Sequence, residues 1–498
     1  MSLPEHVKVF VVGAGFGGLG LAIKLRERGE TDFVVIDKGD DVGGTWRDNT
    51  YPGAACDVPS QLYSFSFAPN PNWSRSFSPQ PEIQAYIQDV SEKAGVRDHF
   101  RFGVEFLDAS WQGDHWAIDT SAGSLTADFV VSAAGGLSEP KMPDIDGIDS
   151  FAGDIMHTAQ WDHSIDLKGK RVAVIGTGAS AIQVIPEVAK VAGHLDVYQR
   201  TAPWVMKRKD RAYLPIERFA FKNVPLVQKA YRTAIYWGRE CFVPAFTLAP
   251  QLALPAKLDA LDNIRRSIKD PEMVKALTPD YDMGCKRILI SNTYYPALAQ
   301  HNVELVTDGI AKITGDAVVT QDGTEREIDV LIVATGFHTT DLPIAHHIVG
   351  RDGRTMAQQF QAESMSGYKG TTVHNFPNMF MIVGPNTGLG HSSMVFMIES
   401  QLAYILGALD AVEKRDVAVL EVTREAQQAW TNDIQRRMEK TVWSSGGCAS
   451  WYLDEHGKNV TLWPRTTFAF RLATARFDID RYDVTARSEV AEKVEVSA

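Results

Sequence analysis

The 498-residue sequence predicts an α/β chain of two Rossmann-like dinucleotide-binding domains, with a helical insertion in the second. Two observations carry this. A strand, a glycine-rich turn and a helix occur twice, at VKVFVVGAGFGGLGLAIKLRERG and at KRVAVIGTGASAIQVIPEVAK. Each is followed by a second strand ending in a charged residue, and Asp37 follows Gly13 at the same separation as Arg200 follows Gly176, 24 positions in each case. A chain of this length also exceeds one compact core, so two or three domains are expected.

In the first module Gly13, Gly15 and Gly18 have the GxGxxG spacing. Their expected roles are a tight turn, close backbone approach to a pyrophosphate, and close helix–strand packing. FVVID ends in Asp37, an acceptor for ribose hydroxyls. In the second module Ala181 takes the third glycine's place after Gly176 and Gly178, and HLDVYQR ends in Arg200. An acid there would repel a 2′-phosphate, whereas a guanidinium pairs with it in bidentate fashion. The first site is therefore expected to hold FAD and the second NADPH rather than NADH. Lys38 and Val104 are further expected FAD contacts, and Ser180 and Thr201 further NADPH contacts. Lys207, Arg208 and Lys209 add positive charge near the second site, or simply face water.

The expected division assigns 1–142 to the FAD domain, with 151–207 opening the NADPH domain. A helical insert follows at 208–285, where VPLVQKAYRTAIYWGRE and DALDNIRRSIKD carry apolar residues at helical intervals. The NADPH domain resumes over 286–376 and the FAD domain over 377–482, leaving a flexible tail at 483–498. The runs Phe129–Pro143 and Asp329–Pro343 are apolar strands ending in small residues and a proline turn, the expected exits from one domain to the other.

An apolar share of 44% and a charged share of 22% are those of an ordinary globular chain. The net charge of −12 argues against nucleic acid or anionic lipid as the main partner. Cys56, Cys241, Cys285 and Cys448 are far apart without a CxxC pair, which argues against a disulfide scaffold, a zinc site or a dithiol reductase and suits a cytoplasmic location. The chain enters a strand within a few residues of Met1, leaving no room for a signal peptide. No apolar run of about twenty residues is evident, so no transmembrane segment is expected. The greasiest stretch, CFVPAFTLAPQLALPAKL, is broken by prolines.

Two nucleotide modules leave the reaction open, since reductases and oxygenases both use them. Three segments narrow it. GGTWRDNTYPGAACD has Gly43, Gly44, Trp46, Tyr51, Pro52, Gly53 and Asp57 at the fixed positions of [AG]GxWxxxx[FY]P[GM]xxxD. FAGDIMHTAQWD has Phe151, Gly153, His157, Trp161 and Asp162 in the pattern FxGxxxHxxxW followed by P or D. YDMGCKRILISNTYYP carries the pair Lys286-Arg287. With these the chain resembles the Baeyer–Villiger monooxygenases, over about Val7 to Tyr482.

The resemblance implies NADPH- and FAD-dependent insertion of one oxygen atom from O2 beside the carbonyl of a small hydrophobic ketone, through a C4a-peroxyflavin. It implies that Arg287 stabilises the anionic oxidant, with Asp57 orienting the guanidinium, and that Lys286 assists the NADPH phosphate. Gly44, Thr45 and Trp46 would lie against the flavin. Trp451, in the segment beginning SWYLD, matches the family's mobile loop that reaches NADP. His157 is expected to brace the segment between the two sites. Insert aromatics Phe219, Phe221, Tyr231, Tyr236, Trp237 and Phe242 suit a bulky ketone or plain helix core. Oxygenation of sulfur or nitrogen is the nearest alternative, and an NADPH-dependent flavin reductase a more distant one.

Overall fold

The computed structural model describes residues 2–448 and 450–489. His6–Val12 is the central strand of the first sheet because VKVFVV is buried on both faces, as a parallel strand covered by helices must be. The sheet runs Ile348–Val349, Phe106–Trp111, Trp116–Thr120, Gly123–Ser132, His6–Val12, Phe33–Asp37, Phe100–Phe102, and Met379–Met381 also pairs with Gly123–Ser132. The second sheet is parallel throughout, in the order Val303–Val306, His194–Tyr198, Arg171–Ile175, Val330–Val333, Asp154–His157.

Both glycine turns need their first glycine. Gly13 and Gly176 have φ of +106° and +117°, and a Cβ on either would lie 2.6 Å from a carbonyl oxygen of the neighbouring strand's exit, Ala133 or Ala334. The helices that follow, Phe16–Glu27 and Ala181–Val188, start without a side-chain cap, so their first N–H groups remain for an anion.

The two exits run side by side. Lys141 N–H donates to the Gly336 carbonyl at 2.9 Å and His338 N–H to that of Glu139 at 3.2 Å, with Pro140 bridged to Phe337. The chain rejoins the first sheet sooner than the expected boundary at 377, because Ile348–Val349 pairs with Ala109–Ser110. The tail also departs from expectation. Tyr482–Ala486 is a strand paired antiparallel with Val417–Val422, anchored by the buried Tyr482, while 490–498 lie outside the described residues.

Helix Met394–Arg415 is long and apolar enough to cross a membrane by length and composition. It is a core helix here: 67% of its most apolar window is buried, against Phe16–Glu27 and Thr467–Thr474. Glu399, Gln401 and Asp410 interrupt its apolar run.

Candidate active site

The site is built where the loop 43–57 meets the second module and the insert. Gly44 (φ +54°) opens the short helix Thr45–Asp48 and faces the first glycine turn so closely that its Cβ would lie 3.1 Å from the Gly15 Cα. Trp46 donates through Nε1 to the Tyr63 hydroxyl at 3.0 Å. The same loop is keyed into the second module. Tyr51 donates to Gln183 Oε1 at 2.8 Å, Gln183 donates back to the Ala55 carbonyl at 2.9 Å, and a Cβ on Gly53 would lie 2.5 Å from the Gln183 carbonyl.

That keying carries Asp57 to Arg287. Arg287 Nε donates to Oδ2 at 2.9 Å, and Nη2 reaches both carboxylate oxygens at 2.8 and 2.7 Å. Burial alone would raise the Asp57 carboxyl, but the guanidinium outweighs it and holds the group below the usual carboxylate range. The Asp57 charge in turn raises Arg287 further above its ordinary value.

Two other arginines bind the main chain at Asp57 and at Cys56 before it. Arg239, from the insert, donates to the Asp57 carbonyl at 3.3 Å, and Arg208 to the Cys56 carbonyl at 3.1 Å. Burial pushes both guanidinium groups below their usual value. Arg287 holds the Asp57 carboxylate, while Arg239 and Arg208 add positive charge beside it from main-chain contacts, Arg208 also feeling the charge of Asp210. Arg208 had been read as part of the phosphate region or as facing water; it turns instead toward Cys56 and the Phe77 ring, 5.3 Å away. Lys207 is paired with Asp262 and Asp259. The buried Tyr452 phenol, pushed up to about 12 by desolvation, is close enough to feel both Arg287 and Asp57. Arg239 lies in no motif, and Tyr452, next to Trp451 in SWYLD, was not singled out.

The residues present fit both dinucleotides. On the second module a Cβ at Gly178 would meet nothing within 4 Å, so that turn is open. Ser180 heads the helix, and the Thr201 carbonyl accepts from Thr177 Oγ1 at 3.1 Å. Burial, then the nearby Arg200 charge, pushes Lys286 down. Two cations brought together in this way suit a phosphate. In the first module Asp37 is more occupied than expected. It accepts from the Ala14 and Gly39 amides at 2.7 and 2.8 Å, and Arg47 Nη1, unnoticed in the sequence, donates to it at 2.8 Å. Val104 donates its N–H to the Asp37 carbonyl at 3.0 Å, and Lys38 pairs with Glu139 at the surface.

The linker is a brace. Phe151 is buried, and Gly153 has no room for a side chain: its Cβ would lie 2.4 Å from the Asp329 carbonyl. His157 pairs across from Val333, accepts from Ala159 N–H through Nδ1 at 3.1 Å, and meets Phe337 edge-on at 6.0 Å. Burial lowers its pKa. Trp161 packs on the second module's core, and Asp162 is exposed, capping Ser164 at 2.8 Å.

The expectation of unpaired cysteines is overturned. Cys285 and Cys448, 163 positions apart, form a disulfide. Sequence spacing could not reveal it because the fold alone brings the two segments together. It joins the residue before Lys286-Arg287 to the loop bearing Trp451, which is half exposed and stacked obliquely on Tyr452 at 4.3 Å. Of the insert aromatics, Phe221 and Tyr231 pack with Tyr213 in the core, whereas Phe219 and Trp237 face outward.

Two dinucleotide modules flanking a half-buried arginine–carboxylate pair define a flavoprotein-type oxidoreductase. The family described as pyridine nucleotide-disulphide oxidoreductase matches residues 10–224. A Baeyer–Villiger monooxygenase of Streptomyces coelicolor is 50% identical over 96% of this chain and 93% of its own, and one of Pseudomonas aeruginosa 48% identical over 97% and 92%. Among solved structures, cyclohexanone monooxygenase from Rhodococcus sp. Phi1 bound to NADP+ superposes with a TM-score of 0.85 at 29% identity, covering 97% of this chain and 100% of that one. An oxidised steroid monooxygenase bound to NADP gives 0.84 at 30% identity over 96% and 99%. The chain belongs to the Baeyer–Villiger monooxygenase family.

Proposed function

We propose that this chain is an FAD- and NADPH-dependent monooxygenase that inserts one oxygen atom of O2 beside the carbonyl of a small hydrophobic ketone, giving an ester or lactone. The observation that carries the reading is the Arg287–Asp57 pair, with Arg239 and Arg208 on the main chain beside it, at the junction of the two modules. When bound, the flavin, reduced by the nicotinamide, supplies the oxygen-activating chemistry.

The protein's part is to bind, orient and stabilise. Gly13, Gly15 and Gly18, with Gly44, Thr45 and Trp46, would hold the FAD; Gly176, Gly178, Ser180, Arg200, Thr201 and Lys286 would hold the NADPH. Arg287 presents a fixed cation to the negative charge that a nucleophilic oxygen must carry to attack a carbonyl. Asp57 fixes the guanidinium's plane and keeps it charged. Arg239 holds the Asp57 main chain from the insert, so movement of the insert reaches the pair directly. His157 keeps the linker in register, and burial lowers its pKa.

The ketone is the less specific part of the proposal. It is supported by an apolar cavity of about 180 Å³ within the insert, lined by Phe242, Ala245, Phe246, Leu252, Ala253 and Ile288, the last of which follows Arg287. Cytoplasmic placement belongs to the same reading, since each turnover consumes an NADPH. The test is oxygenation of a panel of cyclic, aromatic and long-chain ketones beside a sulfide, with product identification. Ester formation supports the reading; sulfoxide without ester would replace it by heteroatom oxygenation.

A further inference from the structure

Helix Pro225–Glu240 has apolar side chains on both faces. Its inward face carries Tyr231, Ile235 and Tyr236 beside a row of polar anchors: Gln228 donates to Gln61 Oε1 and the Asn70 carbonyl, both at 2.8 Å. Arg232 donates to the Gln61 and Ser64 carbonyls at 2.6 and 2.9 Å. Glu240 accepts from Thr467 and meets His391 at 3.1 Å. Its outward face is apolar, with Leu226 75% exposed, Ala230 and Ala234 following at helical spacing, and Trp237 half exposed. A helix at the surface of a water-soluble core ordinarily turns such large apolar side chains inward. The preceding helix Pro215–Asn223 extends the surface with Ile216 and Phe219, 68% and 64% exposed, and Phe468 adds to it beside Trp237 at 6.4 Å between ring centroids.

The charges on this surface have one sign. Arg218, Lys222 and Lys229 are exposed and have no ion-pair partner among the described residues. The two acids of these helices are taken up: Glu217 pairs with Arg211 and Glu240 is buried. A chain of net charge −12 has therefore gathered outward cations around exposed Ile, Phe, Leu and Trp side chains. Apolar side chains rimmed by lysine and arginine, with a tryptophan among them, are the composition of a face that lies in the headgroup region of a bilayer. A second copy docking about a twofold axis would set these cations against themselves, which disfavours self-association.

We infer that helices Pro215–Asn223 and Pro225–Glu240 form a docking face for an anionic lipid bilayer. The overall charge argues against such a partner, and the local field reverses that sign. The inference is independent of the oxygenation reading, since binding and turnover are measured separately.

The test is co-sedimentation of the FAD-loaded protein with vesicles of phosphatidylglycerol and phosphatidylcholine, against vesicles of phosphatidylcholine alone. The triple variant Arg218→Glu/Lys222→Glu/Lys229→Glu is expected to bind the anionic vesicles roughly a hundredfold more weakly, since each basic residue near such a surface contributes about a factor of five. Ile216→Ser/Phe219→Ser/Leu226→Ser should also weaken binding, and 0.5 M salt, about a twofold shorter screening length than physiological, should release the parent protein. NADPH oxidation should be unchanged in both variants. Failure to sediment with anionic vesicles, equal binding to neutral ones, parent-like binding by the charge variant, or a dimer that the apolar variant dissociates would each overturn the inference.

Discussion

Replacing Arg287 by alanine removes three hydrogen bonds and the cation that keeps Asp57 ionised. Breaking a fully buried pair costs about 3–5 kcal/mol, but these side chains keep 34% and 27% of their surface exposed, so water reduces the cost to about 1–3 kcal/mol. The variant should therefore fold with a lowered Tm. Loss of a fixed cation at developing negative charge should cost roughly 10²–10³ in ester formation. Flavin reduction by NADPH should persist, because Arg200 and Lys286 are untouched. The pH dependence follows from the lowered Asp57 carboxyl. In the parent its contribution to stability is complete above about pH 4, the unfolded value, and is lost as pH falls through the lower folded value. In Arg287→Ala that acid limb should flatten. Stopped-flow flavin reduction, chromatographic ester yield and thermal unfolding from pH 3 to 7 read the three effects. Ester formation within about threefold of the parent would refute the assigned role.

Arg200→Ala and Lys286→Ala should each raise the KM for NADPH about tenfold or more while leaving that for NADH nearly unchanged; equal effects on both would remove the phosphate assignment. Cys448→Ser should lower unfolding stability by about 2–4 kcal/mol relative to the oxidised parent, and a thiol reductant should bring the parent toward the variant. Identical melting with and without reductant would count against the link. Gly153→Ala, forced against the Asp329 carbonyl, should destabilise by about 1–3 kcal/mol. His157→Gln should lower Tm yet keep ester formation within about threefold; a far larger loss would return His157 to the chemistry.

The glycine turns, the Asp37 and Arg200 contrast and the loop ending at Asp57 were legible because each depends on local chain geometry or on a dense run of fixed residue types. What escaped is non-local. Cys285 and Cys448 are 163 positions apart and meet only in the folded chain, and Arg239 reaches the Asp57 main chain from a helix distant in sequence. Arg47 went unnoticed for the same reason, since only the folded loop brings it to Asp37. The helix Pro225–Glu240 illustrates the limit well. Its apolar periodicity announced a helix correctly, but that Tyr231, Ile235 and Tyr236 turn inward while Leu226 and Trp237 face out depends on the partners Gln61, Asn70 and Ser64, which lie far away in sequence. The strand Tyr482–Ala486 was read as loose because its composition is polar, while one buried tyrosine and a partner strand suffice to order it.

The most direct test of the account is oxygenation of a converted ketone under 18O2 with NADPH, followed by mass spectrometry of the product. One labelled oxygen in the ester, beside a retained unlabelled carbonyl oxygen and one NADPH consumed per ester, is the predicted result. NADPH consumption yielding only hydrogen peroxide across the ketone panel, or an ester without label, would contradict it.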